Sequence, residues 1–266
     1  MVNLKKSLII ENNGAVPFVD LNERVTGFEC ARRLIAERID LEKIMEASLL
    51  LGESLKIPQL PGFQLAQSKR DLITSFFLRS ISYNHVGHAT SFNGVEEGFE
   101  YDKYDAKSIT LLQLTAEKIV IGSARFILDS PEYGLPSEEF SQAVSNQREF
   151  GNIAEISRTV VHPNFRGKNN LIFNQFAFAS RLAELNGIDR FVYSAQQDPI
   201  LDLYQRGIAD QNIIDWDLPY KEVKGVVNAV SWNPKEFHQS LGKFMARADK
   251  IAAKGQNSLE VTVNEQ

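Results

Sequence analysis

Three short runs of the sequence carry charged side chains that could act together. Their residues are Glu100, Asp102 and Asp105 in the first run, Arg125 in the second, and Glu155, Ser157 and Arg158 in the third. A carboxylate can take a proton from a reacting group, directly or through a water molecule. A guanidinium can hold a carboxylate through two parallel hydrogen bonds. These side chains could therefore bind and deprotonate a small polar molecule, or they could form a purely structural network of ion pairs, and Arg125 is expected to pair with one of the two aspartates.

The part of the chain before these runs has a helical pattern. Residues 28–54 and residues 71–87 place apolar side chains at helical spacing, which predicts one or two amphipathic helices in the first segment and a helix in the second. Residues 56–64, between them, contain two prolines and a glycine, which interrupt a helix and mark a connection. We expect a polar loop after the second segment, up to about residue 98.

After this loop the pattern becomes that of strands. Residues 108–114 and 118–128 are predicted to form a hairpin of two central strands, and residues 152–163 a third strand that ends at a proline. The remaining predicted elements are an apolar helix ending at Gly187, a strand at 188–195, a helix at 198–208, a late strand at 224–232 and a C-terminal helix at 235–254. This order predicts an α/β (α+β) fold with helices flanking a mixed sheet.

Composition limits the classes of partner and compartment. The net charge of −5 gives no overall attraction to nucleic acid or to an anionic membrane. The single cysteine, Cys30, excludes an internal disulfide framework, and no apolar run approaches the roughly 18 residues of a membrane span. His85 and His88 have no neighbouring cysteine to complete a metal site. We expect a cytoplasmic protein with no metal, no nucleic-acid partner and no integral membrane segment.

The charged runs, in this order and at these separations, resemble the ExDxxD, GxxR and ExSR signatures of acyl-homoserine-lactone synthases. Leu78-Arg79 and Tyr83 upstream fit the same pattern, so the resemblance spans roughly residues 71–210. The runs LPSEEF and EISRTVVHP also resemble N-acyl amino acid synthases. Both families belong to the GCN5-related N-acyltransferase (GNAT) superfamily, and this implies a mostly antiparallel central sheet flanked by helices.

The resemblance also implies a division of the chain. We predict an N-terminal helical extension at residues 1–64, a GNAT-like acyltransferase domain at 65–233, and a C-terminal helix and tail at 234–266. Lactone synthases carry a tryptophan between the positions of Arg79 and Glu100, whereas this chain has tryptophan only at positions 216 and 232. This difference favours the N-acyl amino acid synthases over the lactone synthases.

Transfer of an acyl chain from a thioester to an amine is the reaction that the resemblance implies. An α-amino group, with a pKa of ~7.7 to 8.0, is only partly neutral in the cytosol, and a carboxylate could take its proton, directly or through water. The candidate bases are Glu100 and Glu155, and Tyr204 lies where many acetyltransferases keep a tyrosine that protonates the leaving thiolate. The residues expected to bind the amine substrate, an amino acid or related small acceptor, are Arg79, Asp102, Asp105, Arg125, Ser157 and Arg158.

The ExSR run sets a geometric requirement. On a regular strand Glu155 and Ser157 share one face, whereas Arg158 points to the other. A β-bulge would let the glutamate and the arginine both project into one site and would free a backbone N–H for the thioester oxygen. The resemblance implies such a bulge.

The stretch that follows, VVHPNFRG, is similar to the acetyltransferase segment that opens the cofactor-binding helix. The residues expected to bind the acyl donor, helped by the helix N-terminus, are Val160, Val161, Arg166, Gly167 and Lys168. Asn169 and Leu171 replace glycines that usually cradle the pyrophosphate of coenzyme A. We therefore expect an acyl carrier protein as donor and partner, with acyl-CoA as the alternative and no tightly bound cofactor. The competing hypotheses are an acetyl-CoA-dependent acetyltransferase and a catalytically silent acyl-binding protein.

Overall fold

The computed structural model describes residues 19–20, 39–88, 98–167, 171–196, 211–219 and 226–235. Several predicted elements lie wholly or mostly outside the described residues: the start of the N-terminal helical segment at 28–38, the helix at 198–208 and the C-terminal helix at 235–254. Within the described residues, no helix is both long enough and apolar enough to span a bilayer.

The described helices are α1 (Ile39–Glu53), α2 (Lys69–His85), α3 (Gln142–Asn146) and α4 (Leu171–Asn186), with 3₁₀ turns at Lys103–Lys107 and Pro136–Glu139. Helix α2 begins two residues before its predicted start because two side chains satisfy its first amides. Ser68 accepts a hydrogen bond from the amide of Asp71, and the Asp71 carboxylate accepts one from the amide of Gln67.

The strands are β1 (Val19–Asp20), β2 (Phe63–Leu65), β3 (Ser108–Leu114), β4 (Ile119–Leu128), β5 (Ile153–Val161), β6 (Arg190–Gln196), β7 (Gln211–Pro219) and β8 (Val226–Trp232). Their order across the sheet is β2-β3-β4-β5-β6-β8-β7, and β1 pairs with β4. Strands β5 and β6 pair in parallel, and the other described pairs are antiparallel. The predicted GNAT-like fold, a mostly antiparallel mixed sheet flanked by helices, is confirmed.

The sequence does not predict the two strands at the sheet edges. Strand β2 lies in and beside the segment expected to be a connection, and it pairs with β3. Strand β7 is not predicted because its alternation of apolar and polar residues is interrupted. The strand shifts register twice against β8, and Asp217 has a positive φ of 52°. Since β2 spans the predicted boundary after residue 64, the sheet draws on both sides of it, and the division into domains stays a prediction.

One face of the sheet, which we call the apolar face, packs against α4. It carries Phe126 from β4, Phe191 from β6 and Trp232 from β8, all fully buried together with Phe178 of α4. The rings of Phe191 and Trp232 stack with their centroids 5.1 Å apart, and those of Phe126 and Phe178 lie 6.3 Å apart. This face holds the largest hydrophobic cluster of the described residues.

The opposite face, which we call the charged face, lies beneath α2, the 3₁₀ turn at Lys103–Lys107 and the segment 129–150. Strand residues alternate between faces, so Arg125 projects here although its neighbour Phe126 belongs to the apolar face. The hydroxyls of Ser75 on α2 and Ser123 on β4 lie 2.6 Å apart, which fixes the helix over the strand. The charged face is therefore where the predicted polar residues meet.

Candidate active site

Arg125 is the centre of the polar contacts on the charged face. Its Nη1 lies 2.6 Å from Oδ1 of Asp102 and 3.0 Å from Oδ2 of Asp105, and its Nε donates to the Ser157 hydroxyl at 2.9 Å. The side chain of Arg125 is fully buried. The expected ion pair is therefore present, and it involves both aspartates.

Two further arginines complete these contacts. Nη1 of Arg79, on α2, lies 2.8 Å from Oδ1 of Asp105 and 3.6 Å from Oε2 of Glu100. Arg158, on β5, donates from Nε to Oε1 of Glu100 at 2.7 Å and from Nη2 to Oδ2 of Asp102 at 3.0 Å. Each arginine therefore contacts two carboxylates, and each carboxylate contacts two arginines.

These contacts close into a ring of alternating charge, which we call the charge ring. Its members, in order, are Arg79, Glu100, Arg158, Asp102, Arg125 and Asp105. Burying one such charge alone would cost several kcal/mol, so the buried arrangement depends on every charge having opposite neighbours. The ring as a whole is formally neutral when all three carboxylates are ionised.

The carboxylates of the ring differ in their proton affinity. Burial raises the pKa of Glu100, against the opposing effects of Arg158 and Arg79. Burial also acts on Asp102, but Arg125 and Arg158 outweigh it and hold the pKa of that carboxyl well below its usual range. Asp102 is thus ionised at neutral pH, and its side chain is 22% exposed, whereas that of Glu100 is fully buried.

The spacing of the two aspartates also builds the local backbone. Asp102 accepts a hydrogen bond from the amide of Tyr104 at 2.8 Å, and Asp105 accepts one from the amide of Asp102 at 2.9 Å. These bonds form a capping box at the start of the 3₁₀ turn. The turn therefore presents both carboxylates to the arginines in a fixed orientation.

Arg158 reaches the ring through a β-bulge. Strand β4 pairs Ser123 with Val160 and Arg125 with Ser157, so two residues of β5 lie opposite one residue of β4. The φ of Arg158 is 52°, in the left-handed region that residues other than glycine rarely adopt. The bulge that the resemblance implied is confirmed, and it turns Arg158 towards the ring.

Glu155 lies on β5 outside the charge ring. Its side chain is almost fully buried, and its Oε2 accepts a hydrogen bond from the amide of Ser137 at 2.9 Å. Burial raises the pKa of Glu155 to about 7, although hydrogen bonds from Ser137 and the charges of Arg125 and Arg158 oppose the increase. A carboxyl with this pKa can both accept and release a proton near neutral pH.

The parallel strands β5 and β6 separate directly after Glu155. Their pairing ends where Glu155 lies opposite Val192, although β5 continues to Val161 and β6 to Gln196. Beyond this point β5 keeps its pairing with β4 and β6 keeps its pairing with β8, but the described residues of the two strands no longer pair with each other. We call this gap the β5/β6 opening; an extended chain can lie in such a gap and bond to the strand backbone.

The residues expected to bind the acyl donor lie near the end of β5. Val160 packs against Leu78 of α2. Arg166 is exposed, and its guanidinium donates to the carbonyls of Val161 at 3.2 Å and Ser82 at 3.1 Å, which ties the end of β5 to α2. Gly167 follows with a positive φ of 73°. Lys168 and Tyr204 lie outside the described residues.

Sequence reasoning missed Ser137, although the run LPSEEF drew attention to its neighbourhood. The amide that binds Glu155 belongs to the backbone, so the residue type carries no signal of it. Among the described residues, no group of histidine, cysteine and acidic side chains has the arrangement of a metal site.

Comparison with known proteins places this site in context. The family model described as N-acyl amino acid synthase FeeM matches residues 74–209, just over half of the chain. The matched range includes every residue of the charge ring and Glu155. No curated protein sequence gives a significant match.

Three solved structures are similar to this chain to different degrees. The structure of FeeM, an N-acyl amino acid synthase from uncultured soil microbes, superposes with a TM-score of 0.55 and 16% identity, over 69% of this chain and 97% of that one. The lactone synthase LasI gives 0.48 and 16% identity over 65% and 89% of the two chains. A putative N-acetyltransferase from Lactobacillus plantarum gives 0.45 and 13% identity over 64% and 96%. The FeeM structure shows that the fold is shared.

Proposed function

The chain belongs to the N-acyl amino acid synthase FeeM family, and from this premise we propose that it transfers an acyl chain from a thioester to the amine of an amino acid or related small acceptor. The observation that supports this most strongly is the position of Glu155. A buried carboxyl with a pKa of about 7 lies at the point where β5 and β6 separate, beside a ring of charges. This combines a base with a place for an extended acyl donor.

The proposed reaction is direct attack of the amine on the thioester. The donor lies in the β5/β6 opening, and its carbonyl oxygen accepts a hydrogen bond from a backbone N–H of β5 beyond Glu155. The neutral amine forms the new C–N bond, and Glu155 accepts the proton that the nitrogen loses. The C–S bond then breaks, and the thiolate takes up a proton; Tyr204 remains a prediction for that last role.

Glu155 is a better candidate base than Glu100. Glu100 is fully buried and bridges Arg79 and Arg158, so protonation of its carboxylate would disrupt the charge ring. Glu155 has no place in the ring and is free to change its charge during the reaction. We therefore assign Glu100 to holding Arg158 in place.

The acceptor is proposed to bind at the exposed side of the charge ring. Asp102 and Arg158 have side chains 22% and 8% exposed, whereas the other members are almost completely buried. The Asp102 carboxylate can accept a hydrogen bond from the neutral amine of an amino acid, and Arg158 can attract its carboxylate. The buried members of the ring then fix the positions of these two side chains.

An acyl carrier protein is the proposed donor. Arg166 donates hydrogen bonds to two backbone carbonyls, and Asn169 and Leu171 replace the glycines that would hold a pyrophosphate. Both features disfavour coenzyme A as the donor. The start of α4 can still offer amides to the single phosphate of phosphopantetheine. Acyl-CoA, with its additional phosphates, is the alternative donor that the experiment must compare.

The test supplies the purified protein with acyl carrier protein thioesters or acyl-CoA of several chain lengths, together with a mixture of amino acids. Mass spectrometry then identifies any acylated amine and the preferred donor. We expect Glu155→Gln to reduce the rate about 10²- to 10⁴-fold, the usual contribution of a general base. The matched control is Glu139→Gln, which removes a carboxylate that binds the Tyr104 hydroxyl instead of lying on β5; it should remain active.

The outcomes separate the hypotheses. A product that depends on Glu155 supports the synthase, and the acceptor is read from its mass. A product confined to acetyl-CoA would favour an ordinary acetyltransferase, whereas binding of acyl thioesters without turnover would favour a silent acyl-binding protein. Equal activity of wild type and Glu155→Gln would overturn the role of Glu155.

A further inference from the structure

Ser137 joins the two strands that border the β5/β6 opening. Its amide donates to Oε2 of Glu155 on β5 at 2.9 Å, and its hydroxyl lies 2.7 Å from the hydroxyl of Ser194 on β6. Ser194 is two residues beyond Val192, the last residue of β6 that pairs with β5. One buried residue of the 3₁₀ turn Pro136–Glu139 therefore contacts both strands just where they separate.

We propose that Ser137 and Ser194 are positioning residues that hold the Glu155 carboxylate at the vertex of the β5/β6 opening and fix the separation of the two strands there. The proposal rests on the proposed function, because it assumes that Glu155 acts as the base. It adds two residues that do not belong to the three charged signatures. Neither serine contacts the reacting atoms directly; both act through Glu155 and the strand positions.

The hydroxyl pair has a defined effect on Glu155. The Ser137 side chain, as well as its amide, stabilises the ionised carboxylate and so lowers the pKa of Glu155 relative to burial alone. When the Ser194 hydroxyl donates to Ser137, the proton of the Ser137 hydroxyl is left for the carboxylate, whose ionised form the Ser137 side chain favours. Without this pair, Glu155 would hold its proton up to a higher pH.

Other titratable groups also face Glu155, and the variants must leave them unchanged. They are Arg125 from β4 and Arg158 from β5, both of which favour the ionised form, and Tyr104 from the 3₁₀ turn at Lys103–Lys107, whose pKa Glu155 helps to raise. Strand β6 contributes only the uncharged Val192 and Ser194 at this position. Substitution of the two serines leaves all three of these groups in place.

The experiment measures kcat/KM against pH for wild type, Ser137→Ala and Ser194→Ala, using an acceptor amine of low pKa that stays neutral over the whole range. We expect the acidic limb of Ser137→Ala to move to higher pH by about one unit, the order expected when a carboxylate loses one hydrogen bond. The rate on that limb then falls about tenfold and recovers at high pH. Ser194→Ala should shift in the same direction, with an increased KM for the acyl donor, and Ser194→Thr should restore both.

The matched control is Ser141→Ala. Ser141 is also buried in the segment 129–150, but its hydroxyl donates to Asp215 of β7 at 2.7 Å and has no contact with Glu155. This variant reports any general loosening of the segment. If it moves the acidic limb as far as Ser137→Ala does, or if neither Ser137→Ala nor Ser194→Ala moves it, the proposal is overturned.

A second measurement separates this proposal from the proposed function. The pKa of Glu155 can be obtained without turnover, from the pH dependence of the difference in unfolding free energy between wild type and Glu155→Gln. Repeating this in the Ser137→Ala background should give a higher pKa. If the pKa rises but activity does not depend on Glu155, the base assignment fails and the contact between the residues stands; if the pKa is unchanged, the positioning role fails whatever the activity shows.

Discussion

The two faces of the sheet bury opposite kinds of side chain, although these side chains come from neighbouring residues of the same strands. Phe126 packs among aromatic rings on the apolar face, while Arg125, one position away, lies fully buried between two aspartates on the charged face. Burial of the rings stabilises the fold directly. A buried ionic network rarely does, because replacing it with well-packed apolar side chains is often neutral or stabilising.

The charged face also contains the features that a structure optimised only for stability would avoid. Arg158 has a positive φ, and Nε and Nη2 of Arg79 and Nη2 of Arg125 are buried without a hydrogen-bond acceptor among the described residues. Strain and under-satisfied donors are typical of functional sites. Under the proposed function, the charged face carries the site and the apolar face stabilises the fold, and the strained backbone at Arg158 supports this assignment.

The largest effect on stability is expected from substituting adjacent residues of β4, one on each face of the sheet. Arg125→Met leaves the buried Asp105 and the partly exposed Asp102 with one arginine fewer each and should lower the free energy of unfolding by about 3 to 5 kcal/mol. Phe126→Ala leaves a cavity and should lower it by a similar amount, about 3 to 5 kcal/mol. Chemical denaturation measures both values.

Activity distinguishes the two variants. At a temperature where both remain folded, Phe126→Ala should keep most of its activity per folded molecule, and Arg125→Met should lose it. Equal losses of activity at equal losses of stability would contradict the division of labour between the faces.

A smaller effect, of opposite sign, is expected from Glu155→Gln. The pKa of Glu155 is about 7 in the folded protein, above the ordinary value of 4.5, so folding favours the protonated form. The stability that this group provides is therefore fully present below about pH 4.5 and is lost as the pH rises through 7. Glutamine removes the cost of the buried charge, which amounts to about 3 kcal/mol above pH 7.

Thermal or urea unfolding at pH 5 and pH 8 tests this expectation. The variant should be close to wild type at pH 5 and more stable at pH 8, while catalysis is impaired at both. A variant that is less stable at pH 8 would show that Glu155 contributes to the fold in its ionised form, as Asp102 does.

Gly122, the glycine of the GxxR signature, lies next to two polar side chains that are buried within the apolar face. A Cβ at this position would lie 2.6 Å from Nε2 of Gln175 and 2.7 Å from Oε1 of Gln113, two buried groups hydrogen-bonded to each other at 3.1 Å. Gly122→Ala should therefore cost about 1 to 3 kcal/mol through overpacking, measured by denaturation. Truncating Gln113 to alanine in the same chain should recover part of the loss; no recovery would point to a backbone effect instead.

The sequence predicts the central part of the molecule best. Strands β3, β4 and β5 were found to within two residues at each end, because buried central strands are rich in branched apolar side chains. The types of the charged residues also predict that Arg125 pairs with an aspartate. The closed ring could not be predicted, since Arg79 and Glu100 join it through the packing of α2, a contact between distant parts of the chain.

Other features depend on backbone geometry that side-chain patterns do not record. The bulge at Arg158 follows from resemblance alone, because an arginine in the left-handed region has no sequence signature. The β5/β6 opening depends on where the pairing of two parallel strands ends. Ser137 binds Glu155 through its amide, which every residue except proline possesses.

The smallest expected effect concerns Arg148, an arginine that contacts two carboxylates as Arg125 does but is much more exposed. Arg148 donates from Nε and Nη2 to Asp129 at 2.7 and 2.6 Å and also pairs with Glu138, but its side chain is 38% exposed. Arg148→Met should lower the free energy of unfolding by less than about 1 kcal/mol, because water screens an exposed pair and solvates the carboxylates left behind. Added salt should reduce even this difference, whereas it should leave the effect of Arg125→Met unchanged. If the two methionine variants lose similar stability, hydrogen-bond geometry rather than burial would determine the stability of both networks. The effect of Arg125→Met would then not depend on the burial of its ion pairs.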